Sequence, residues 1–256
     1  MRGFLTVGLL ALALSGCGIF SGGGDKKPKT PTVGERLAVL TYEAGIEADP
    51  ELASQPVVLP PPAANEAWAQ PGGSVDRAMG HLALGASVTK AWSASIGHGS
   101  DKVSRLLSGP VVAGGRVYVM DTQAAVRAFD AKTGRDVWTA KISRPGEKTR
   151  IAFGGGVSFG DGRVYATSGY GLVAAYDAAT GSQIWRADLK VPLRGAPSFD
   201  DGRIFVVSQD NQLSVLSADK GETLWDSVGT VEATSLMGAS PPAVSAGTAV
   251  VGYSSG

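Results

Sequence analysis

Two aspartates, Asp130 and Asp177, and three tryptophans, Trp138, Trp185 and Trp225, hold matching places in a pattern stated three times. Carboxylates repeated in this way could ligate a metal, and repeated indoles could hold a flat quinone. A residue that returns in every structural unit more often serves the unit itself. The Asp and Trp positions, with Gly134, Gly181 and Gly221, are therefore read as turn and core residues. No metal, no cofactor and no catalytic residue is expected. The two histidines, His81 and His98, precede the repeats and are read as loop residues. Cys17 is the single cysteine, so neither an internal disulfide nor a cysteine-based metal cluster can form.

The elements that carry these residues follow from the repeat. One copy runs Gly115-Arg116-Val117-Tyr118-Val119, then Phe129-Asp130-Ala131-Lys132-Thr133-Gly134, then Val137-Trp138. Gly162-Arg163-Val164-Tyr165-Ala166 opens the second copy and Gly202-Arg203-Ile204-Phe205-Val206 the third. The tryptophans recur at a period of roughly 40 to 47 residues, which is the scale of β-propeller blades. Each copy reads as four short strands. Gly114-Gly115, Asp161-Gly162 and Asp201-Gly202 supply the positive-φ residues of two-residue hairpins. The second strands, Arg116 to Met120 and Arg203 to Val207, are apolar runs suited to burial on both faces. Asp-x-x-Thr-Gly closes the turn after the third strand: the carboxylate caps a backbone amide and the glycine supplies the left-handed residue. The third copy has Ser217 and Lys220 at the Asp and Thr positions, so its turn should lack one side-chain cap. The tryptophan of the fourth strand is best buried between blades.

Ahead of the repeats, Arg2 is followed by the apolar run Phe4 to Leu14 and then by Leu14-Ser15-Gly16-Cys17. About a dozen apolar residues are too few to span a bilayer, so the segment reads as a signal sequence. Leu-Ser-Gly-Cys resembles the lipobox of bacterial lipoproteins. That resemblance implies removal of residues 1–16 and lipidation of Cys17, with more than one acyl chain making the anchor stable. Gly18, rather than an aspartate, implies transfer to the outer membrane. Residues 17–33, which include Ser-Gly-Gly-Gly-Asp-Lys-Lys-Pro-Lys-Thr-Pro-Thr, read as the lipidated cysteine and a flexible tether.

Acidic and basic residues balance at 23 each, which gives no basic patch for nucleic acid. Thirty-six glycines and many short apolar runs fit an all-β protein rich in turns. Residues 34–87 form a non-repeat extension, with a short strand at Glu35 to Thr41 and an extended proline-rich run at Pro56 to Pro62. Residues 88–96, with Trp92, read as the fourth strand of a blade without its first three, a strand that would close a ring. Complete blades are expected at about 108–142, 155–189 and 195–228, and an incomplete one at 240–256. Propellers need four to eight blades, so these three and a half are expected to be the N-terminal part of a seven- or eight-bladed ring.

Ala-x-Asp-x-x-Thr-Gly-x-x-x-Trp resembles the blade motif of pyrroloquinoline-quinone-type propellers. One branch of these is quinone-dependent dehydrogenases; another is the BamB family of outer-membrane assembly lipoproteins. The lipobox, the tether, the closing strand, and the stretches Asn65-Glu66-Ala67-Trp68 and Gln70-Pro71-Gly72-Gly73 look like BamB. The resemblance implies a non-enzymatic lipoprotein on the periplasmic face of the outer membrane. Its partners would be the POTRA repeats of the barrel-inserting subunit and nascent outer-membrane proteins. Leu193-Arg194-Gly195 matches the Leu-Arg-Gly segment through which the family binds POTRA repeats. Val191, Leu193 and Arg194 then supply apolar contact and a multi-donor head, and Pro192 stiffens the loop. The next interblade stretch, Leu236 to Ser240, lacks the acid that the family can place there. Half of a quinone-dependent periplasmic dehydrogenase and a generic periplasmic binding propeller are the other readings of the chain.

Overall fold

The computed structural model describes residues 49–52, 54–144, 146, 154–232 and 240–255. The signal segment, Cys17, the tether, the Glu35 to Thr41 stretch and residues 236–239 lie outside the described residues. Two compact units divide between Val57 and Val58. In the first, the Leu52 amide closes a turn onto the Asp49 carbonyl at 3.0 Å. Among the described residues, the second holds every strand.

Three antiparallel meanders follow one another. They are β1 (Val111–Ala113), β2 (Arg116–Met120), β3 (Ala125–Asp130) and β4 (Asp136–Lys141), then β5 (Gly155–Gly160), β6 (Arg163–Ser168), β7 (Leu172–Asp177) and β8 (Gln183–Asp188), then β9 (Ser198–Asp200), β10 (Arg203–Val207), β11 (Gln212–Ser217) and β12 (Thr223–Val228). A two-stranded ribbon, β13 (Ala243–Ser245) and β14 (Thr248–Val250), comes last. Each meander pairs its strands in chain order. The fold is all-β, with four-stranded antiparallel propeller blades.

The local rules hold residue by residue. Asp161 and Gly162 take φ of 48° and 71°, and Asp201 and Gly202 take 42° and 69°, as two-residue hairpins between right-twisted strands require. Asp177 Oδ1 accepts the Ala179 amide (3.0 Å), the Thr180 amide (2.8 Å) and the Thr180 hydroxyl (2.8 Å). Asp130 does the same for Lys132 and Thr133. These bonds hold both carboxyls below the usual range: the Thr180 and Thr133 hydroxyl bonds act most strongly, then the amides. At Ser217 the backbone alone closes the turn, with the Gly221 amide donating to the Ser217 carbonyl at 2.8 Å.

The pairing register of the ladders does not show in the sequence. Every third-to-fourth-strand pairing slips register at the same place, at Ala128/Phe129, Ala175/Tyr176 and Val215/Leu216. The slip leaves Val137, Ile184 and Leu224 exposed and unpaired in the ladder, while the next residue is the tryptophan. An extra residue of this kind re-aims its neighbour's side chain. Here it turns Trp138 and Trp185 into the seam between blades, where each is only 9% exposed.

The seams are built from one peptide unit each. The Ala178 amide donates to the Gly162 carbonyl of its own blade at 3.0 Å. Its carbonyl accepts the indole N–H of Trp138 from the preceding blade at 3.0 Å, together with the Arg116 guanidinium. Ala218 repeats this with Gly202, Trp185 (2.8 Å) and Arg163 (2.8 Å). At Ala131 the donor is Trp92, at 2.9 Å. Residues 88–96 pair with no strand among the described residues, yet Trp92 holds the indole position of a fourth strand. Aromatic rings of β2 and β6 continue each seam, Tyr118 against Phe159 and Tyr165 against Phe199.

Candidate functional site

Two parts of the chain outside the repeat carry the most specific geometry. The first is the crossover from β8 to β9, residues 189–197. It leaves β8 through Lys190, which sits at φ 64°. Backbone then stitches it to both blades. The Leu189 amide donates to the Gly171 carbonyl (2.9 Å), and the Gly155 amide to the Arg194 carbonyl (3.1 Å). The Gln209 amide donates to the Pro192 carbonyl (2.8 Å), and the Thr167 hydroxyl to the Gly195 carbonyl (2.7 Å). The approach is close enough that a Cβ on Gly171 would stand 2.3 Å from the Val191 carbonyl oxygen.

The predicted contact residues divide by burial. Leu193 has no exposed surface and packs with Tyr165 and Val173, while its backbone bridges Ser208. It anchors the loop from below, and its side chain is withdrawn from any partner. A Leu in a loop reads as exposed in a sequence; here the loop folds back over the seam and buries it. Val191 is half-buried and Pro192 exposed. Arg194 is half-buried, with Nε and Nη2 both on Gln209 Oε1 at 3.2 and 2.7 Å. Gly195 is half-buried beside it.

Charge gathers at the same edge. Asp188 Oδ2 accepts Lys190 Nζ at 2.6 Å, and Oδ1 accepts Arg144 Nη2. Burial pushes the Asp188 carboxyl up, but the Lys190 and Arg144 hydrogen bonds outweigh it and hold the group at about 2. Arg186 donates to the Ser143 carbonyl at 3.0 Å. Two cations, Arg144 and Lys190, thus share one carboxylate, and Arg186 lies on the same strand as that carboxylate.

The second part is the segment 68–77, which the sequence placed in the non-repeat extension without a strand or a contact assigned to it. It meets the first strand of each sheet in succession. Trp68 exchanges two backbone bonds with Val112 of β1 (2.7 and 2.8 Å). The Phe159 amide of β5 donates to the Ala69 carbonyl (2.7 Å). The Gln70 side chain takes both backbone groups of Phe199 of β9, accepting at 3.1 Å and donating at 2.6 Å. The Val244 amide of β13 donates to the Val75 carbonyl (3.0 Å). These first strands neighbour one another, so the segment is an axial strap across their inner edges. Arg77 locks its end, donating to the Pro71 and Ser74 carbonyls, to Ser198 Oγ (3.0 Å) and to the Pro242 carbonyl (3.2 Å).

The histidines are placed in loops. His81 Nδ1 lies 2.8 Å from the Pro60 carbonyl oxygen. His98 Nδ1 lies 3.3 Å from Asp121 Oδ2, with the imidazole mostly exposed and the carboxylate buried. Asp121 also accepts the His98, Gln123 and Ala125 amides, so it clamps a turn. Among the described residues no three of His, Cys, Asp and Glu gather into a metal-ligating group. Among the same residues no helix is long and apolar enough to cross a membrane.

The family described as outer membrane protein assembly factor BamB matches residues 78–152 and 122–256. The chain belongs to this BamB family. No curated protein matches it. Among solved structures it is similar to the quinohemoprotein alcohol dehydrogenase from Comamonas testosteroni, at 22% identity over 64% of this chain and 27% of that one, with a TM-score of 0.52. It is similar to a europium-containing methanol dehydrogenase, at 19% identity over 64% of this chain and 32% of that one, with a TM-score of 0.51. BamB from Moraxella catarrhalis is matched at 15% identity over 45% of this chain and 34% of that one, with a TM-score of 0.37. The dehydrogenase likenesses show the propeller fold alone. The chain spans 27% and 32% of those two enzymes. The BamB-family region, from residue 78, takes in the seams at Ala131, Ala178 and Ala218 and the whole crossover loop.

Proposed function

We propose that this chain is a non-enzymatic scaffold in outer-membrane protein assembly. On this reading Cys17 carries the lipid that holds it at the periplasmic face of the outer membrane. The chain binds the POTRA repeats of the barrel-inserting subunit and assists nascent outer-membrane proteins. The observation that carries the reading is the crossover loop of a BamB-family chain, pinned by backbone bonds to both flanking blades. A loop ordered before binding pays little entropy on association. Lys190 and Pro192 are its exposed members, Val191 and Arg194 are half-buried beside them, and Leu193 holds the loop in place.

The test is capture of the protein by an immobilised POTRA region. Val191→Asp with Arg194→Glu should weaken capture tenfold or more while leaving the fold intact. Unchanged capture removes the loop from the interface. The axial strap also supports a scaffold, because the inner edges of the first strands are taken by the chain's own residues. The dehydrogenase reading of the same fold predicts quinone-dependent dye reduction by the intact protein, and observing it would overturn the scaffold.

A further inference from the structure

Two segments between sheets pack on one run of glycines. Gly154, Gly155 and Gly156 lead into β5, and each lies where a side chain would clash. A Cβ on Gly154 would stand 2.9 Å from the Leu193 carbonyl oxygen, and one on Gly155 2.1 Å from the Thr167 carbonyl oxygen. One on Gly156 would meet both Ser108 Oγ at 2.2 Å and Ala196 Cβ at 2.7 Å. The crossover loop into β9 and the segment 97–110 into β1 thus share one backbone support. The segment 97–110 is ordered by its own caps. Asp101 Oδ1 accepts the Val103 and Ser104 amides, both at 2.7 Å, and Ser100 Oγ accepts the Leu106 amide at 2.9 Å. The Thr122 amide and hydroxyl donate to the His98 carbonyl at 3.0 and 3.1 Å, which ties the segment to the first sheet. Leu106 and Leu107 border a small hollow with Met120, Thr122 and Gly154–Gly155. They still present apolar surface to solvent, being 38% and 37% exposed, and Val103 is 53% exposed. Lys102 and Arg105 flank them, exposed, and neither makes an ion pair among the described residues.

We propose that residues 102–107 and the crossover loop 189–197 form one continuous partner surface, joined through Gly154–Gly156. The partner is the POTRA region already proposed for the loop, and the inference rests on that reading. The added ridge specifies the face it meets. Val103, Leu106 and Leu107 call for an apolar patch on the partner, and Lys102 and Arg105 for carboxylates at its rim. An apolar centre with a charged rim is the ordinary anatomy of a protein interface. The caps on Asp101 and Ser100 hold the ridge in shape before binding, as the backbone bonds hold the loop, so neither half is ordered at the expense of affinity.

The test is hydrogen exchange of the full chain with and without the POTRA region, alongside capture by the immobilised region. Amides of residues 101–107 should slow together with those of 189–195, while the Gly114–Gly115 turn at the other end of β1 is unchanged. Val103→Asp with Leu106→Asp should weaken capture roughly tenfold through lost apolar burial. Lys102→Glu with Arg105→Glu, at exposed positions that leave the core alone, should weaken capture and flatten its dependence on salt. No capture of the unaltered chain overturns the POTRA reading and this surface with it. Capture with slowed exchange confined to 189–195, or capture that both double variants leave unchanged, overturns this surface alone. Slowing of 101–107 by phosphatidylglycerol vesicles and not by the POTRA region would assign the ridge to the membrane and overturn it as a protein surface.

Discussion

The indole of Trp138 lies directly on Gly181, so close that a Cβ there would stand 2.6 Å from the ring. The same glycine sits at φ 75° to close the turn of its own blade. One residue thus meets two demands, from its hairpin and from the neighbouring sheet. Gly162 meets only the first, since nothing lies within 4 Å of its Cβ position. Gly181→Ala should therefore cost about 2–3 kcal/mol, by overpacking added to backbone strain. Gly162→Ala should cost about 1 kcal/mol. Urea denaturation of the two variants separates the contributions.

Leu193 is a core residue that happens to lie in a loop. Truncation to alanine should cost about 2–5 kcal/mol. Arg194→Ala, at a half-buried position, should cost less than Leu193→Ala. If the two variants proved equally stable by urea denaturation, the division between anchor and contact residues would be wrong.

The turn caps give a reciprocal pair. Asp177→Ala should lower the denaturation midpoint, and Ser217→Asp should raise it by restoring the carboxylate the third copy lacks. An unchanged midpoint in both would reduce the caps to decoration on turns that the backbone already closes.

Acid should loosen the crossover edge first. Asp188 is held at about 2 in the fold and takes the ordinary carboxylate value of about 3.9 when unfolded. A depressed folded value stabilises the fold above the unfolded one, and this is lost as pH falls from about 4 toward 2. Asp130 and Asp177, also held low, act in the same direction. Removing the Arg144 donor with Arg144→Ala should raise the Asp188 titration point, measurable by carboxyl NMR.

Arg77 ties the axial strap to β9 and β13 through Ser198 and the Pro242 carbonyl. Arg77→Ala should speed hydrogen exchange at the Val244 amide, whose acceptor is the strap residue Val75. Exchange in β6 and β7 should be unchanged. Uniform acceleration across all strands would mean that Arg77 acts on the whole fold.

Much of the repeat could be read before any coordinate was known. Asp161-Gly162 and Asp201-Gly202 announce hairpins because few residue pairs tolerate two positive φ values in succession. Asp130 and Asp177 announce their turns because a short carboxylate reaches amides two and three residues on. The register slip was not legible, since Val137-Trp138 looks like any apolar pair until its ladder partners are known. The strap was not legible either. Trp68, Gln70 and Val75 share no period, because each answers to a different strand.

The sequence alone determined the elements that depend on neighbours along the chain: strand, turn, cap and the recurrence of the unit. Only the tertiary structure decided what depends on neighbours across it. It buried Leu193 fully and left Val191 and Arg194 half-buried, because the loop closes over an apolar seam. It sent residues 68–77 along the inner strands, whose amides and carbonyls would otherwise lack partners. The physical reason is that burial depends on what faces a residue across the fold: Trp138 and Trp185 are seam residues because an alanine carbonyl and a glycine of the next blade receive them.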